Sequence, residues 1–209
     1  LECIRPDMEI HYTTDGSEPT ATSPLYEKIV PVKEALTLKG AIFAHGRQMG
    51  KTLILPVRWN LATAKPVLGT NPTEKLLTNG IRGSLKYSDF EWCSWADNDS
   101  VSFTIDLLKP EMLNTLTLGC ITNNGMAIHK PASVRVEVSD DNSKFREAVV
   151  QSFTSEEIFR EGNFIENLSL KLGGTQARYV RVTAKGPGVC PASHVRPGQT
   201  SRIFFDEVM

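Results

Sequence analysis

The sequence predicts an all-β protein built as sandwiches, and three observations carry that prediction. Apolar residues recur with a period of two rather than 3.6, turn residues return at short intervals, and hardly any stretch shows a helical stripe. Val134-Arg135-Val136-Glu137-Val138 alternates apolar and charged residues, as a strand with one face in a core must, because successive side chains point to opposite faces. Tyr179-Val180-Arg181-Val182-Thr183 does the same. Turn chemistry lies between such runs: Asp15-Gly16, Asn79-Gly80, Asn124-Gly125, Asp141-Asn142, Gly173-Gly174 and Gly186-Pro187-Gly188. Only Glu156 to Glu161, and one turn after Pro72, read as helical. Many short strands with frequent turns pack as a sandwich or jelly-roll.

Taken in order, the remaining strand-like runs are Glu9 to Thr13, Leu36 to Phe43, Leu53 to Trp59, Val101 to Leu107 and Ile203 to Val208. A boundary falls near Asn60 to Lys65, dividing the chain into residues 1–61 and 62–209. The first unit has about 60 residues, marginal for a core of its own, whereas the second has roughly 145, enough for a self-sufficient sandwich. The chain opens and stops in mid-pattern, so it reads as a segment of a longer polypeptide, and the lack of a secretory leader at its start carries little weight.

Composition narrows the function. Of 209 residues, 40% are hydrophobic and 22% charged, ordinary for a globular protein and unlike a disordered one. A formal net charge of -1 argues against a nucleic-acid partner, which needs a basic stripe to displace phosphate counterions. It argues equally against attachment to acidic lipid. Apolar runs such as Leu53-Ile54-Leu55-Pro56-Val57 break far short of the ~20 residues of a membrane helix, so membrane insertion is not expected.

The four cysteines, Cys3, Cys93, Cys120 and Cys190, form no C-x-x-C pair, and no histidine stands at ligand spacing from another. No metal site is expected on that ground. Four cysteines allow three complete pairings, which the sequence leaves open, although Cys120 inside Leu116-Thr117-Leu118-Gly119-Cys120-Ile121 reads as a small core residue.

Two stretches resemble known families. Ile10-His11-Tyr12-Thr13-Thr14-Asp15-Gly16-Ser17-Glu18-Pro19-Thr20 is followed by Ser23-Pro24-Leu25-Tyr26 and by Leu38 to Gly46. This order resembles the chitobiase/β-hexosaminidase C-terminal domain and implies an immunoglobulin-like sandwich over residues 1–61. Further on come Leu77-Thr78-Asn79-Gly80-Ile81-Arg82-Gly83-Ser84, Trp92, Phe103-Thr104-Ile105-Asp106-Leu107 and Val134 to Asp141. They continue with Ala177 to Val182 and Phe205-Asp206-Glu207-Val208. These resemble a discoidin module, the coagulation factor 5/8 type C domain, and imply a discoidin-like jelly-roll over residues 62–209. The pairing resembles the C-terminal region of bacterial family 20 β-N-acetylhexosaminidases, in particular those of Bacteroidetes. Two positions depart from that pattern: Asn79 stands where relatives commonly have Asp, and Arg202 where they often have Trp. The resemblance makes Asn79 and Glu207 weak calcium candidates, and Asn79 offers a neutral oxygen where a carboxylate would bring charge, so calcium is not the expectation.

The resemblance implies a non-catalytic accessory region of a secreted bacterial glycoside hydrolase, periplasmic, on the cell surface or released. Its partners would be a glycan of the GlcNAc, GalNAc or galactose type and a catalytic barrel in the same polypeptide. The alternative is a purely structural role, packing on the barrel or mediating oligomer contacts. Catalysis needs a pair of acid and base groups brought together. Asp206 and Glu207 are adjacent on a strand and should point to opposite faces, while Asp97, Asp99, Asp140 and Asn142 sit in turns. For sugar binding, the expected loops carry Tyr87, Asp89, Phe90, Trp92 and Trp95, and then Asn123, Asn124, Met126, His129 and Lys130. Trp92 reads as core, so Trp95 is the candidate platform for a sugar's C–H face. His194, Arg196, Arg82, Arg178 and Arg181 are weaker candidates, with strand-face ion pairs the rival reading for the last two.

Overall fold

The structure, a computed structural model, describes residues 5, 7–28, 30–95 and 100–209. Cys3, Asp97 and Asp99 lie outside the described residues. The chain divides into two compact units, 1–59 and 60–209.

The first unit is an antiparallel sheet made of β1 (Glu9–Thr13), β2 (Leu36–Ala44), β3 (Arg47–Gln48) and β4 (Leu53–Val57), in which β2 pairs with each of the others. Its long β2 is central, and Leu38, Ala41 and Phe43 are buried on it. His11 of β1 is buried edge-on to Phe43, with Nδ1 2.7 Å from the Ser23 carbonyl. The turn chemistry is local: Asp15 Oδ1 accepts the Ser17 N–H at 3.0 Å, and Gly16 takes φ +79°, which a side chain would resist. The Ser23-Pro24-Leu25-Tyr26 crossover is sewn to β1, Tyr12 N–H donating to the Pro24 carbonyl and Tyr26 N–H to the Ile10 carbonyl.

The second unit holds β5 (Val67–Leu68), β6 (Cys93–Trp95), β7 (Ser100–Asn123), β8 (Ser133–Ser139), β9 (Arg146–Ser152), β10 (Asn163–Lys185) and β11 (Ile203–Val208). The order along the sheet is β6-β11-β7-β10-β8-β9, with β5 also on β7. At 24 and 23 residues, β7 and β10 are long enough to serve two layers. Val101 to Asp106 pairs with Tyr179 to Ala184, and that half carries β5, β8 and β9. Glu111 to Asn123 pairs with Asn163 to Ala177, and that half carries β11 and β6. Register shifts between Lys171 and Thr175, and again between Ala177 and Tyr179, bend the ribbon between its halves. Gly173 and Gly174, expected as a turn between strands, are instead the positive-φ residues of this irregularity, at +66° and +78°. The halves close on one core containing Phe103, Ile105, Val136, Val182, Leu118, Leu170 and Phe205.

Among the described residues, helix is confined to short pieces. A 3-10 turn runs over Glu74–Thr78, another over Asn124–Met126, and α1 over Ser155–Ile158. Thr154 caps α1, accepting the Glu157 N–H at 3.2 Å while the Glu157 carboxylate takes the Thr154 N–H at 2.7 Å. Cys93, Cys120 and Cys190 are free, buried thiols; burial pushes Cys93 up to about 12 and Cys120 higher still.

Candidate functional site

β11 presents two faces. Ile203 and Phe205 enter the main core, whereas Phe204 joins a second apolar cluster with Trp92, Ile121 and Ile128. Tyr87, Met126 and Ile165 pack on that cluster as a half-buried roof. Tyr87 meets Phe204 edge-on at 6.3 Å, and the Arg202 guanidinium lies 5.7 Å from the same ring. Arg202 also donates from Nη2 to the Met126 carbonyl at 3.1 Å, and among the described residues it makes no ion pair. A half-exposed phenol, a thioether and a guanidinium without a carboxylate partner thus share one surface over an apolar base.

Asp89 shapes the loop beside it. Its Oδ2 accepts the Ser84 N–H at 2.8 Å and its Oδ1 the Glu91 N–H at 3.1 Å, which folds the stretch from Ser84 to Glu91 back on itself. The fold leaves Phe90 92% exposed. Trp92 is buried and donates from Nε1 to the Ser84 carbonyl at 3.1 Å.

The platform expected at Trp95 is not there. Trp95 is 8% exposed, stacked on Phe103 at 6.2 Å and edge-on to Phe205 at 5.7 Å. The reason is its place in β6, where Cys93 and Trp95 point inward and Ser94 outward, with Trp95 paired to Ile203. The second expected loop is corrected as well. Ile128 bridges to both Asn123 and Arg202, so the segment lies down as part of the layer instead of projecting. Asn123 is half-buried; Asn124 is buried, with Oδ1 accepting the Gly162 N–H at 2.9 Å. Lys130 is buried against Glu166 at 3.2 Å and over the Phe153 ring. His129 is fully buried, and burial, with the neighbouring His194 second, lowers its pKa to about 4. His194 is also buried, whereas Arg196 is exposed.

The other arginines have partners. Arg178 holds Asp106 in a fork at 2.8 and 2.9 Å, and Arg181 lies over the Phe145 ring at 3.5 Å. Arg82 Nε donates to Asp206 Oδ2 at 2.6 Å, and the Gly83 N–H donates to the same oxygen at 2.9 Å. Glu207 Oε2 takes the Gly80 N–H at 3.0 Å. Asp206 and Glu207, expected on opposite faces, therefore both reach the segment from Gly80 to Gly83. The register shift between Phe205 and Val208 breaks the strand's alternation there.

Calcium takes about six to eight oxygen ligands. Asn79 spends its Oδ1 on the Ile81 N–H and its Nδ2 on Glu91, and Glu207 is met by the Gly80 N–H and the Asn60 amide, with the charges of Asp206 and Arg82 close by. Glu207 Oε1 and the Asn60 Nδ2 lack a hydrogen bond of normal geometry there. The two calcium candidates, Asn79 and Glu207, are thus each held by N–H donors and do not by themselves supply the oxygen set of a calcium site.

Fold and site together define a discoidin-type module. Residues 62–195 match the F5/8 type C domain, and the chain belongs to that family. Residues 1–53 match the chitobiase/beta-hexosaminidase C-terminal domain. No curated protein matches the chain. Among solved structures it is similar to CpGH89CBM32-6 produced by Clostridium perfringens, at 18% identity over 72% of this chain and 96% of that one, TM-score 0.46. It is similar to a Streptococcus pneumoniae fucose binding module, at 18% identity over 72% and 95%, TM-score 0.45. The C-terminal domain of a chitobiase from Bacteroides fragilis is similar at 17% identity over 64% and 76%, TM-score 0.38.

Sequence reasoning named Tyr87, Asp89, Phe90 and Met126 but passed over Arg202, treating it only as a lost tryptophan. The signal available was its position: the residue before Ile203-Phe204 sits on the face of β11 that the loops cover.

Proposed function

We propose that this chain is a non-catalytic, glycan-binding accessory region of a secreted bacterial β-N-acetylhexosaminidase, and that the surface formed by Tyr87, Met126 and Arg202 makes the sugar contact. The observation that carries the reading is the order of the two domains, a chitobiase-type C-terminal domain followed by an F5/8 type C domain. Tyr87 offers a ring for a sugar's C–H face, and Arg202 offers N–H donors that no carboxylate occupies. Asp206 and Glu207 are buried and engaged with Arg82, Gly83 and Gly80, an arrangement that stiffens a loop and gives a glycoside no route to them.

A structural role is the second reading, and two observations favour it. Trp95, His129 and Lys130 face inward, and an apolar groove of about 410 Å³, lined in part by Leu61, Leu107, Met112, Leu116 and Met209, is available for packing. A glycan array with this chain separates the two. Binding to GlcNAc, GalNAc or galactose-type glycans that is lost in Tyr87→Ala supports the first reading. No binding across the array, with the domain folded, replaces it with the second.

A further inference from the structure

His129, Cys190 and His194 reach one place from separate parts of the chain. His129 follows the bridge between Ile128 and Arg202, while Cys190 and His194 belong to the loop that leads into β11. One ligand-capable atom from each lies within 4.8 Å of the others, and all three residues are buried. Cys190 Sγ is 4.0 Å from His129 Nε2, and the two imidazole centroids are 4.9 Å apart. We propose that this cluster is a binding site for a zinc-class cation, held by the Cys190 thiolate and one ring nitrogen of each histidine.

The polar bookkeeping points that way. His129 has no exposed surface, yet its Nδ1 lacks a hydrogen bond of normal geometry and its Nε2 meets only sulfur. In a cluster that is merely packed, the buried His129 ring is met only by the Cys190 sulfur and by an Ile158 carbonyl outside normal hydrogen-bond geometry, weak partners for a group cut off from water. Phe159 lies 5.0 Å from His129 and 6.1 Å from His194, an apolar wall that excludes water from one side.

Donor chemistry selects the ion. One sulfur and two imidazoles, with no carboxylate in the group, suit zinc or a comparably soft cation and not calcium or magnesium. Tetrahedral zinc sets its sulfur and nitrogen ligands about 3.6 Å apart, so the 4.0 Å pair closes with a shift of a few tenths of an ångström. His194 must give up one of two contacts, the Arg196 N–H that its Nδ1 accepts at 3.0 Å or the Asn124 amide that lies 3.2 Å from its Nε2. That adjustment falls in a loop with exposed Val195 and Arg196 and with Gly188 and Gly198 at positive φ, their Cβ positions open. Two neighbours suit the loaded state. The Ser201 hydroxyl, 3.4 Å from the sulfur, donates to a thiolate, and the Ile158 carbonyl, which acts on the His129 ring, is at hand for the proton on Nδ1. Loading breaks the Cys190 S–H bond, forms a sulfur–metal bond and releases that proton to buffer.

The test uses the whole chain, stripped with a chelator and titrated with cobalt(II) and then zinc(II), with Cys190→Ser and His194→Gln alongside. Cobalt should give a thiolate charge-transfer band that zinc displaces, and zinc should raise Tm and release one proton per ion bound. Cys190→Ser should lose the band, and His194→Gln should weaken zinc at least tenfold, while melts in chelator confirm that both variants fold. A wild-type chain with no band and no zinc-dependent rise in Tm overturns the site. So does a band that survives in Cys190→Ser, since the metal is then bound elsewhere. If neither variant folds, competition of zinc against a cysteine-directed alkylating reagent in the wild type decides: Cys190 should be protected, and unprotected labelling overturns the site.

Discussion

Glu207 Oε2 accepts the Gly80 N–H at 3.0 Å, and the contact is fully buried. It ties the end of the last strand to a loop early in the second unit, and it does so with an ionisable group. Burial is the main reason that the Glu207 carboxyl is pushed up to about 8, the Gly80 N–H and Asn60 amide opposing the rise. The unfolded chain should titrate near 4.5. Between those values the folded state holds a proton that the unfolded state has lost, so stability is fullest below about 4.5, falls as pH rises and levels off above about 8. The steepest slope from one such group is about 1.4 kcal/mol per pH unit. Urea melts from pH 4.5 to 8 should show this decline, and Glu207→Gln, which keeps an acceptor for Gly80, should flatten it.

Gly83 should tolerate no side chain. A Cβ there would drive into the Trp92 indole, which is buried and fixed by its bond to the Ser84 carbonyl. Gly83→Ala should lower stability by about 2–3 kcal/mol through overpacking. Trp92→Ala should cost about 3–5 kcal/mol through the opposite fault, a cavity. Denaturant melts measure both, and an unchanged midpoint in Gly83→Ala would count against the packing described.

Tyr87 and Trp95 should separate binding from folding. Tyr87→Ala and Arg202→Ala should each weaken any glycan that the wild type binds by about tenfold, with Tm nearly unchanged. Trp95→Ala should instead destabilise the second unit by about 3–5 kcal/mol, since its ring is stacked on Phe103 in the core. Titration calorimetry beside thermal melts reads both quantities. A folded Trp95→Ala that alone loses the glycan would return the platform to Trp95.

Millimolar calcium should leave Tm where it was, because the Glu207 carboxyl is met by N–H groups. A strong rise, reversed by a calcium-selective chelator, would contradict that placement.

The strands with clean alternation were legible because a period of two states its own burial. Val134, Val136 and Val138 are buried, and Arg135 between them is exposed. Continuity was not legible. Gly173-Gly174 has the composition of a turn, yet it bends one strand that runs from Asn163 to Lys185. The same blindness affected Asp206 and Glu207, since strict alternation cannot foresee a register shift. Trp95 was misread although Cys93-Ser94-Trp95 alternates correctly, because the neighbouring Asp and Asn residues argued for a loop. His129 and His194 could not be paired from spacing at all; long-range contacts such as the bridge between Ile128 and Arg202 and the Asn124 amide on His194 bring their segments together.

The last strand in the chain, β11, sits between β6 and β7. A ribosome therefore delivers it after both neighbours it must join. Until it arrives, β6 has no strand partner among the described residues, and β7 offers an open edge at Leu118 and Cys120. The ribbon of β7 and β10 can zip from Asn123 and Asn163 toward Ser100 and Lys185, but until β11 arrives the core lacks Ile203, Phe205 and Val208. The second unit must then finish folding in one late closure, and in the interval its open edge is exposed to aggregation and to proteases.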